Sequence, residues 1–164
     1  MPISLSAVRL LIARHIDWLD PHDDHASPTR QAHDMPLATL ISTQGPYLEA
    51  LLEIDGVRYC VLDEFSVCAD TAPKTGDTFE FRFCAELAGD ESWDAQFSGN
   101  PDQRIGLQSL GGWAYRAFGK VLSVSPVIVE CGVLQVEDVV CSNDPALIGE
   151  YLSFTLTRLG GYPD

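Results

Sequence analysis

YLEALLEIDGVRYCVL, residues 47–62, is the stretch that decides the fold of this chain. Its two apolar runs, residues 47–54 and 57–62, are separated only by Asp55 and Gly56. A two-residue turn between paired strands needs positive φ at its central positions, which Asp and Gly tolerate. The stretch therefore predicts a β-hairpin whose last and first paired residues are Ile54 and Val57.

Alternation of apolar and polar residues extends the β pattern on both sides of this hairpin. Residues 37–41 alternate before it, and residues 78–87 place Phe79, Phe81 and Phe83 on one face after it. A period of two indicates half-buried strands. Further apolar runs follow at residues 113–124, 127–130, 133–136 and 148–159. The sequence predicts a mainly β fold, an antiparallel barrel or barrel-like sandwich of about seven to nine strands, with at most one or two short helices.

Bent strands favour a barrel over a flat sheet in this prediction. Gly119 lies inside a long apolar run, where glycine often marks a bulge or a barrel corner, and Pro126 bends the chain soon after it. We also expect a short strand at residues 65–68 and a short helix at residues 105–110.

Two polar stretches, residues 20–36 and 88–104, are predicted to be long loops within a single domain of residues 1–164. Pro, Asp, Ser and Gly punctuate both stretches. Residues 5–19 fit either a helical stripe or a strand, and the β-rich remainder slightly favours a strand.

The charge of the chain excludes several classes of partner. The 164 residues include 24 acids and 10 bases, a formal net charge of −14. Binding to nucleic acid or to an anionic membrane surface depends on Lys and Arg, so neither is expected. No stretch has the roughly 20 apolar residues of a spanning helix, and the N-terminus does not match a signal peptide. A cytoplasmic location is the expectation.

Motifs for catalysis or cofactor binding are not found in the sequence. There is no GxSxG, HExxH or P-loop pattern, so no catalytic residue and no cofactor is assigned. The five cysteines lack CxxC spacing, and most have apolar neighbours, which predicts small buried residues rather than reactive thiols. His22, His25 and His33 are weak metal candidates, because nothing in their Pro-rich segment indicates the rigid support that a metal site needs.

Acidic residues are concentrated in the middle of the chain. Residues 61–110 hold ten acids and three bases, together with two aromatic residues in a polar stretch. Aromatic anchors supply affinity and charges raise the association rate, so this segment predicts a partner-binding surface. The alternative is that this segment binds no partner: the aromatic residues pack into the core and the acids face water. The candidate partner-binding residues are Asp63, Glu64, Asp90, Glu91, Trp93, Asp94, Phe97 and Asp102.

The function predicted from these patterns is that of a non-enzymatic acidic binding protein. It would occlude a basic protein partner, as an immunity or inhibitor protein does. One alternative is a small-molecule-binding or catalytic β-barrel, with a ligand in its interior or mouth. Another is a structural subunit of a homo-oligomer, in which the weakly charged run at residues 151–158 pairs across a homodimer.

Overall fold

Nine β-strands form one sheet in the computed structural model, which describes residues 35–164. The strands are β1 (Leu37–Thr43), β2 (Glu49–Ile54), β3 (Val57–Asp63), β4 (Thr78–Leu87), β5 (Gly106–Gly111), β6 (Ala114–Ser123), β7 (Ile128–Glu130), β8 (Gln135–Glu137) and β9 (Tyr151–Pro163). A short helix, α1 (Trp93–Ser98), separates β4 from β5, and a 3-10 turn (Pro145–Leu147) precedes β9. The predicted mainly β, barrel-like fold is confirmed.

Five of the strands close into a ring. Their order is β3-β2-β1-β4-β9, and β9 pairs again with β3. All these neighbours are antiparallel except β3 and β9, which run parallel where Leu62 faces Gly160 and Asp63 faces Gly161. Strand β9 is 13 residues long, and its first half extends beyond the ring and pairs with β6. Strand β6 also pairs with β5 and β7.

The predicted hairpin at Asp55-Gly56 is present between β2 and β3. Ile54 pairs with Val57, and the two turn residues have φ angles of 49° and 77°. The confirmed turn fixes the register of the two strands, so that Leu52 and Val61 both lie in the core with no exposed surface.

Side chains from the ring strands pack together in a hydrophobic core. Its fully buried members include Leu40, Leu52, Val61, Phe81 and Leu159. Burying a side chain of this size contributes roughly 1.5–3 kcal/mol relative to leaving it exposed. The ring interior is therefore a packed core, as in other small barrels.

Two of the local predictions are wrong. Residues 65–68 form turns rather than a strand, because the N–H groups of Phe65 and Ser66 donate to the Asp63 carboxylate instead of to a neighbouring strand. Residues 106–111 form strand β5, paired with β6, where a helix was expected. Periodicity does not distinguish helix from strand in so short an apolar run, and the pairing with β6 decides it.

Gly119 is required by close packing rather than by a bulge at its own position. A Cβ atom there would lie 2.5 Å from Val129 Cγ1 and 2.6 Å from the carbonyl oxygen of Glu130. The irregularity between β6 and β7 falls later, between Val121 and Ser123. Glycine therefore lets β7 approach β6 closely, one of the established uses of glycine within a strand.

The run at residues 151–158 is not a free edge, which contradicts the basis for pairing it across a homodimer. Strand β6 pairs with one side of it. On the other side, Ala88 donates to the carbonyl oxygen of Thr155 and Asn100 donates to that of Leu152. Both edges of the run are thus occupied within the same chain.

Residues 1–34 lie outside the described residues. The predictions for residues 5–19 and for residues 20–34 of the first polar loop fall there, and the single-domain prediction for residues 1–164 stays a prediction. Within residues 35–164, no helix is both long and apolar enough to cross a membrane.

Candidate functional site

A cleft of about 330 Å³ opens beside α1, and we refer to it as the α1 cleft. Its walls come from the end of β4, from α1, from residues 138–141 and from β9. The polar and aromatic side chains that line it are Glu91, Trp93, Gln96, Asp138, Cys141 and Thr155.

Helix α1 forms one wall because local sequence favours a helix start at Ser92. The Ser92 hydroxyl accepts a hydrogen bond from the N–H of Ala95 at 3.3 Å, and Asp94 places a negative charge in the first turn. Phe97 packs against the core and contacts Trp93, with ring centroids 5.0 Å apart. Trp93 stays 42% exposed, so part of its ring is open to solvent at the cleft.

The segment before α1 is held to the sheet by the carboxylate of Glu91. This carboxylate accepts hydrogen bonds from the N–H of Thr155 at 2.8 Å and from its hydroxyl at 2.9 Å, and it forms an ion pair with Arg116. Arg116 also donates to the Ser153 hydroxyl at 2.7 Å. Burial alone would raise the pKa of Glu91, but the Thr155 and Arg116 hydrogen bonds outweigh burial and lower that pKa.

Stability should depend on pH through Glu91. Because its pKa is lower in the folded protein, the stabilisation is fully present above the unfolded-state pKa and is lost as pH falls through the folded one. We expect Glu91→Gln to lower the free energy of unfolding by about 1–2 kcal/mol at neutral pH. In urea titrations from about pH 7 to about pH 3, this difference should shrink towards acid pH.

The control for this prediction is Glu137→Gln, at an exposed carboxylate with no hydrogen bond or ion pair to another described residue. It should change stability little at any pH. A Glu91→Gln deficit that stays constant across the titration would contradict the role given to the ionised carboxylate.

The electrostatics of the α1 cleft are acidic. Glu91 and Asp138 line it, and within residues 35–164 no lysine or arginine lines it. Gln96 lines it too, although the residue is only 7% exposed, and its side-chain amide makes no hydrogen bond to another described residue. The cleft therefore combines negative charge with an unused amide and an accessible indole ring.

Most of the predicted partner-binding residues after β4 gather near α1, but the set does not form one surface. Along β9, Thr155 binds Glu91 and Gly161 faces Asp63. Thr155 and Gly161 are six residues apart in β9. A rise of about 3.3 Å per strand residue therefore places them on the order of 20 Å apart. Glu64 lies with Asp63, beside Gly160. Asp102 is exposed in the turn after α1, and the residues around the helix are Asp90, Glu91, Trp93, Asp94 and Phe97.

Asp63 is a correction to the predicted surface, because it is fully buried. Its Oδ1 accepts hydrogen bonds from the N–H groups of Phe65 at 3.1 Å and Ser66 at 2.8 Å. Its Oδ2 accepts from the hydroxyls of Ser66 and Thr43. An Asp followed three residues later by Ser is typical of such a capped turn, and this signal was present in the sequence.

Several cleft residues were missed by sequence reasoning. Gln96, Asp138 and Thr155 are polar residues far apart in the chain, and no motif connects them. Asp138 is brought to the cleft by the turn after β8, where its φ is 56° and its N–H donates to Val127 at 2.9 Å. Only the paired sheet places these side chains together.

The cysteines are more exposed than predicted. Only Cys131 is buried, and burial raises its pKa to about 12. Cys68, Cys84 and Cys141 are exposed. A hydrogen bond with the Thr71 hydroxyl is the largest cause that lowers the pKa of Cys68, and one with the N–H of Asp70 is the next. Local hydrogen bonds therefore stabilise the Cys68 thiolate, which the sequence did not reveal.

Residues 35–164 contain no cluster of three His, Cys, Asp or Glu side chains that could hold a metal ion, and the weak candidates His22, His25 and His33 lie outside this range. Comparison of the chain with protein-family models, with curated proteins and with solved structures found no match.

Proposed function

We propose that this protein is a non-enzymatic binding protein that occludes a basic protein partner. The binding surface is the α1 surface, which we define as Trp93 and Asp138, which line the α1 cleft, together with the exposed Asp90 and Asp94, which are next to lining residues in the chain. The single observation that carries the proposal is this cleft, because it joins carboxylates and an exposed indole and, within the described residues, has no basic lining side chain.

The physical argument rests on what each kind of group contributes to binding. Carboxylates at a rim steer a basic partner and raise its association rate, an effect that salt screens. An aromatic side chain that becomes buried at the centre of an interface supplies much of the affinity. Trp93, at 42% exposure, has surface left to bury. A cytoplasmic setting is part of the proposal.

A small-molecule-binding protein is the second candidate, favoured by the volume of the cleft. About 330 Å³ lies at the lower end of the roughly 300–1,000 Å³ range of ligand pockets. Such a ligand would use the α1 cleft rather than the ring interior, where Leu40, Leu52 and Phe81 are fully buried in the core.

Neutralising the α1 surface should weaken capture of a basic partner. We expect proteins with a pI above about 9 to be retained from native cell extract at low salt by wild-type protein and lost by the variant Asp90→Asn/Asp138→Asn. For a partner identified in this way, the association rate should fall by about 3- to 10-fold in the variant, and should fall with rising salt for the wild type.

The matched control is Asp70→Asn/Glu80→Gln, which removes the same charge at two exposed positions that neither line the cleft nor adjoin a lining residue in the chain. It should retain the partner and change the association rate by less than about 2-fold. If both double variants behave alike, or if the association rate is insensitive to salt, the proposed mechanism is wrong.

A further inference from the structure

We propose that the α1 cleft is a subsite for one arginine side chain of the basic partner, with Gln96 and Asp138 accepting its N–H groups and Trp93 contacting its plane. This proposal rests on the proposed function and adds to it the chemical group that the cleft selects. It follows from three features of the cleft: an unused amide, one carboxylate without a bound partner among the described residues and an accessible indole.

Gln96 is the observation that distinguishes this cleft from an ordinary acidic surface. The residue is 7% exposed, yet it lines the cleft and its amide bonds to no other described residue. No buried side-chain N or O atom of the described residues lacks a hydrogen-bond partner, so the Gln96 amide atoms keep contact with solvent in the cleft. A ligand that brings N–H donors into the cleft replaces that solvent at the Gln96 carbonyl oxygen and is held there among side chains that are already in place.

The charge and the aromatic wall specify which donor suits the cleft. Glu91 already bonds to Arg116 and Thr155, so Asp138, exposed at the rim, is the carboxylate left to pair with a ligand. A cation that lies over an indole face gains further attraction. Trp93 contacts Phe97, stays 42% exposed and lines the cleft.

Arginine satisfies these groups better than lysine. A guanidinium is planar, stacks on aromatic rings and presents several N–H donors in a fixed fork, whereas an ammonium is a compact and strongly hydrated point charge. Amide and carboxylate acceptors that lie beside an aromatic wall match the planar fork. The cleft therefore selects arginine within a basic segment.

Binding of a short peptide with one arginine flanked by glycines tests this subsite in the full-length protein. In heteronuclear NMR titrations, we expect saturable shifts of the Gln96 side-chain amide and of residues 138–141, with a weak Kd on the order of 1 mM. The same peptide with citrulline, which keeps the shape but not the charge, should bind at least about 10-fold more weakly, and the lysine peptide about 3-fold more weakly.

Two variants and one control separate this subsite from general electrostatics. Gln96→Met and Trp93→Leu should each weaken the arginine peptide by about 5-fold. Trp113→Leu, a matched change at a residue that does not line the cleft, should leave binding unchanged. Equal binding of arginine and citrulline peptides, shifts that fall elsewhere, or no saturable shift would overturn the proposal.

The peptide titration and the capture experiment distinguish failure of the subsite from failure of the proposed function. If the arginine peptide gives no saturable shift in the cleft while Asp90→Asn/Asp138→Asn still loses the basic partner, the subsite is refuted and the function stands. If the arginine peptide binds in the cleft but no basic protein is lost by Asp90→Asn/Asp138→Asn, the subsite stands and the function is refuted.

Discussion

Replacement of Gly161 by alanine should destabilise the protein by about 3–5 kcal/mol, one of the two largest effects that we expect from a single substitution. Gly161 lies in β9 where the ring closes against β3, and its φ is 151°. A Cβ atom there would collide with the carbonyl oxygen of Arg82 and would lie 2.8 Å from the Phe81 ring. Backbone and a buried ring cannot move aside cheaply, so the substitution strains the pairing that closes the ring.

Gly76→Ala is the matched control for this prediction. Gly76 has a φ of 93°, and a Cβ atom there would meet no atom within 4 Å. This variant should therefore show only the cost of the backbone conformation, about 1 kcal/mol. Urea denaturation of both variants measures the difference, and equal losses would contradict the role of close packing at Gly161.

A third variant covers the case in which Gly161→Ala does not fold. At Gly160 the colliding group is the carboxylate of Glu64, which ends a partly exposed side chain and can move. Gly160→Ala should therefore fold and lose less stability than Gly161→Ala, because a side chain that can move relieves its clash. If Gly160→Ala also fails to fold, the contacts of Gly161 with backbone and ring are not what makes the closure intolerant.

The features that could be predicted from the sequence are those set by local chemistry. Asp55-Gly56 meets the φ requirement of a tight turn, and the alternating phenylalanines of β4 indicate a half-buried strand. Both features could be predicted from neighbouring residues alone. The closure of β9 on β3 joins residues almost a hundred positions apart. No local pattern encodes it, and so the barrel was predicted without its strand order.

The candidate site was only partly predictable for the same reason. Trp93 and its acidic neighbours stood out as aromatic and charged residues in a polar stretch, and the structure places them around α1. Gln96 and Asp138 gave no signal, because an amide and a carboxylate become informative only when burial and neighbours are known. Asp63 was wrongly predicted to lie on the binding surface, because acidic residues are mostly exposed. This one is buried and accepts four hydrogen bonds.

Asp63→Ala is expected to cost about 3–5 kcal/mol of stability. The substitution leaves the N–H groups of Phe65 and Ser66 without their acceptor, together with the hydroxyls of Ser66 and Thr43. It also empties space at the end of β3, where the strand pairs with β9. Asp70→Ala, at an exposed acid in the following loop, should stay within about 0.5 kcal/mol of wild type in the same urea titrations.

Asp63→Asn decides between a structural and a partner-binding role for this residue. The amide keeps the shape and part of the acceptor capacity, so the variant should fold with a smaller loss of about 1–3 kcal/mol. A surface residue of a recognition site would show the opposite pattern, with unchanged stability and a slower association with a basic partner. Because Asp63 has no exposed surface, we expect folded Asp63→Asn to associate as fast as wild type, and a slower rate at full stability would refute its structural role.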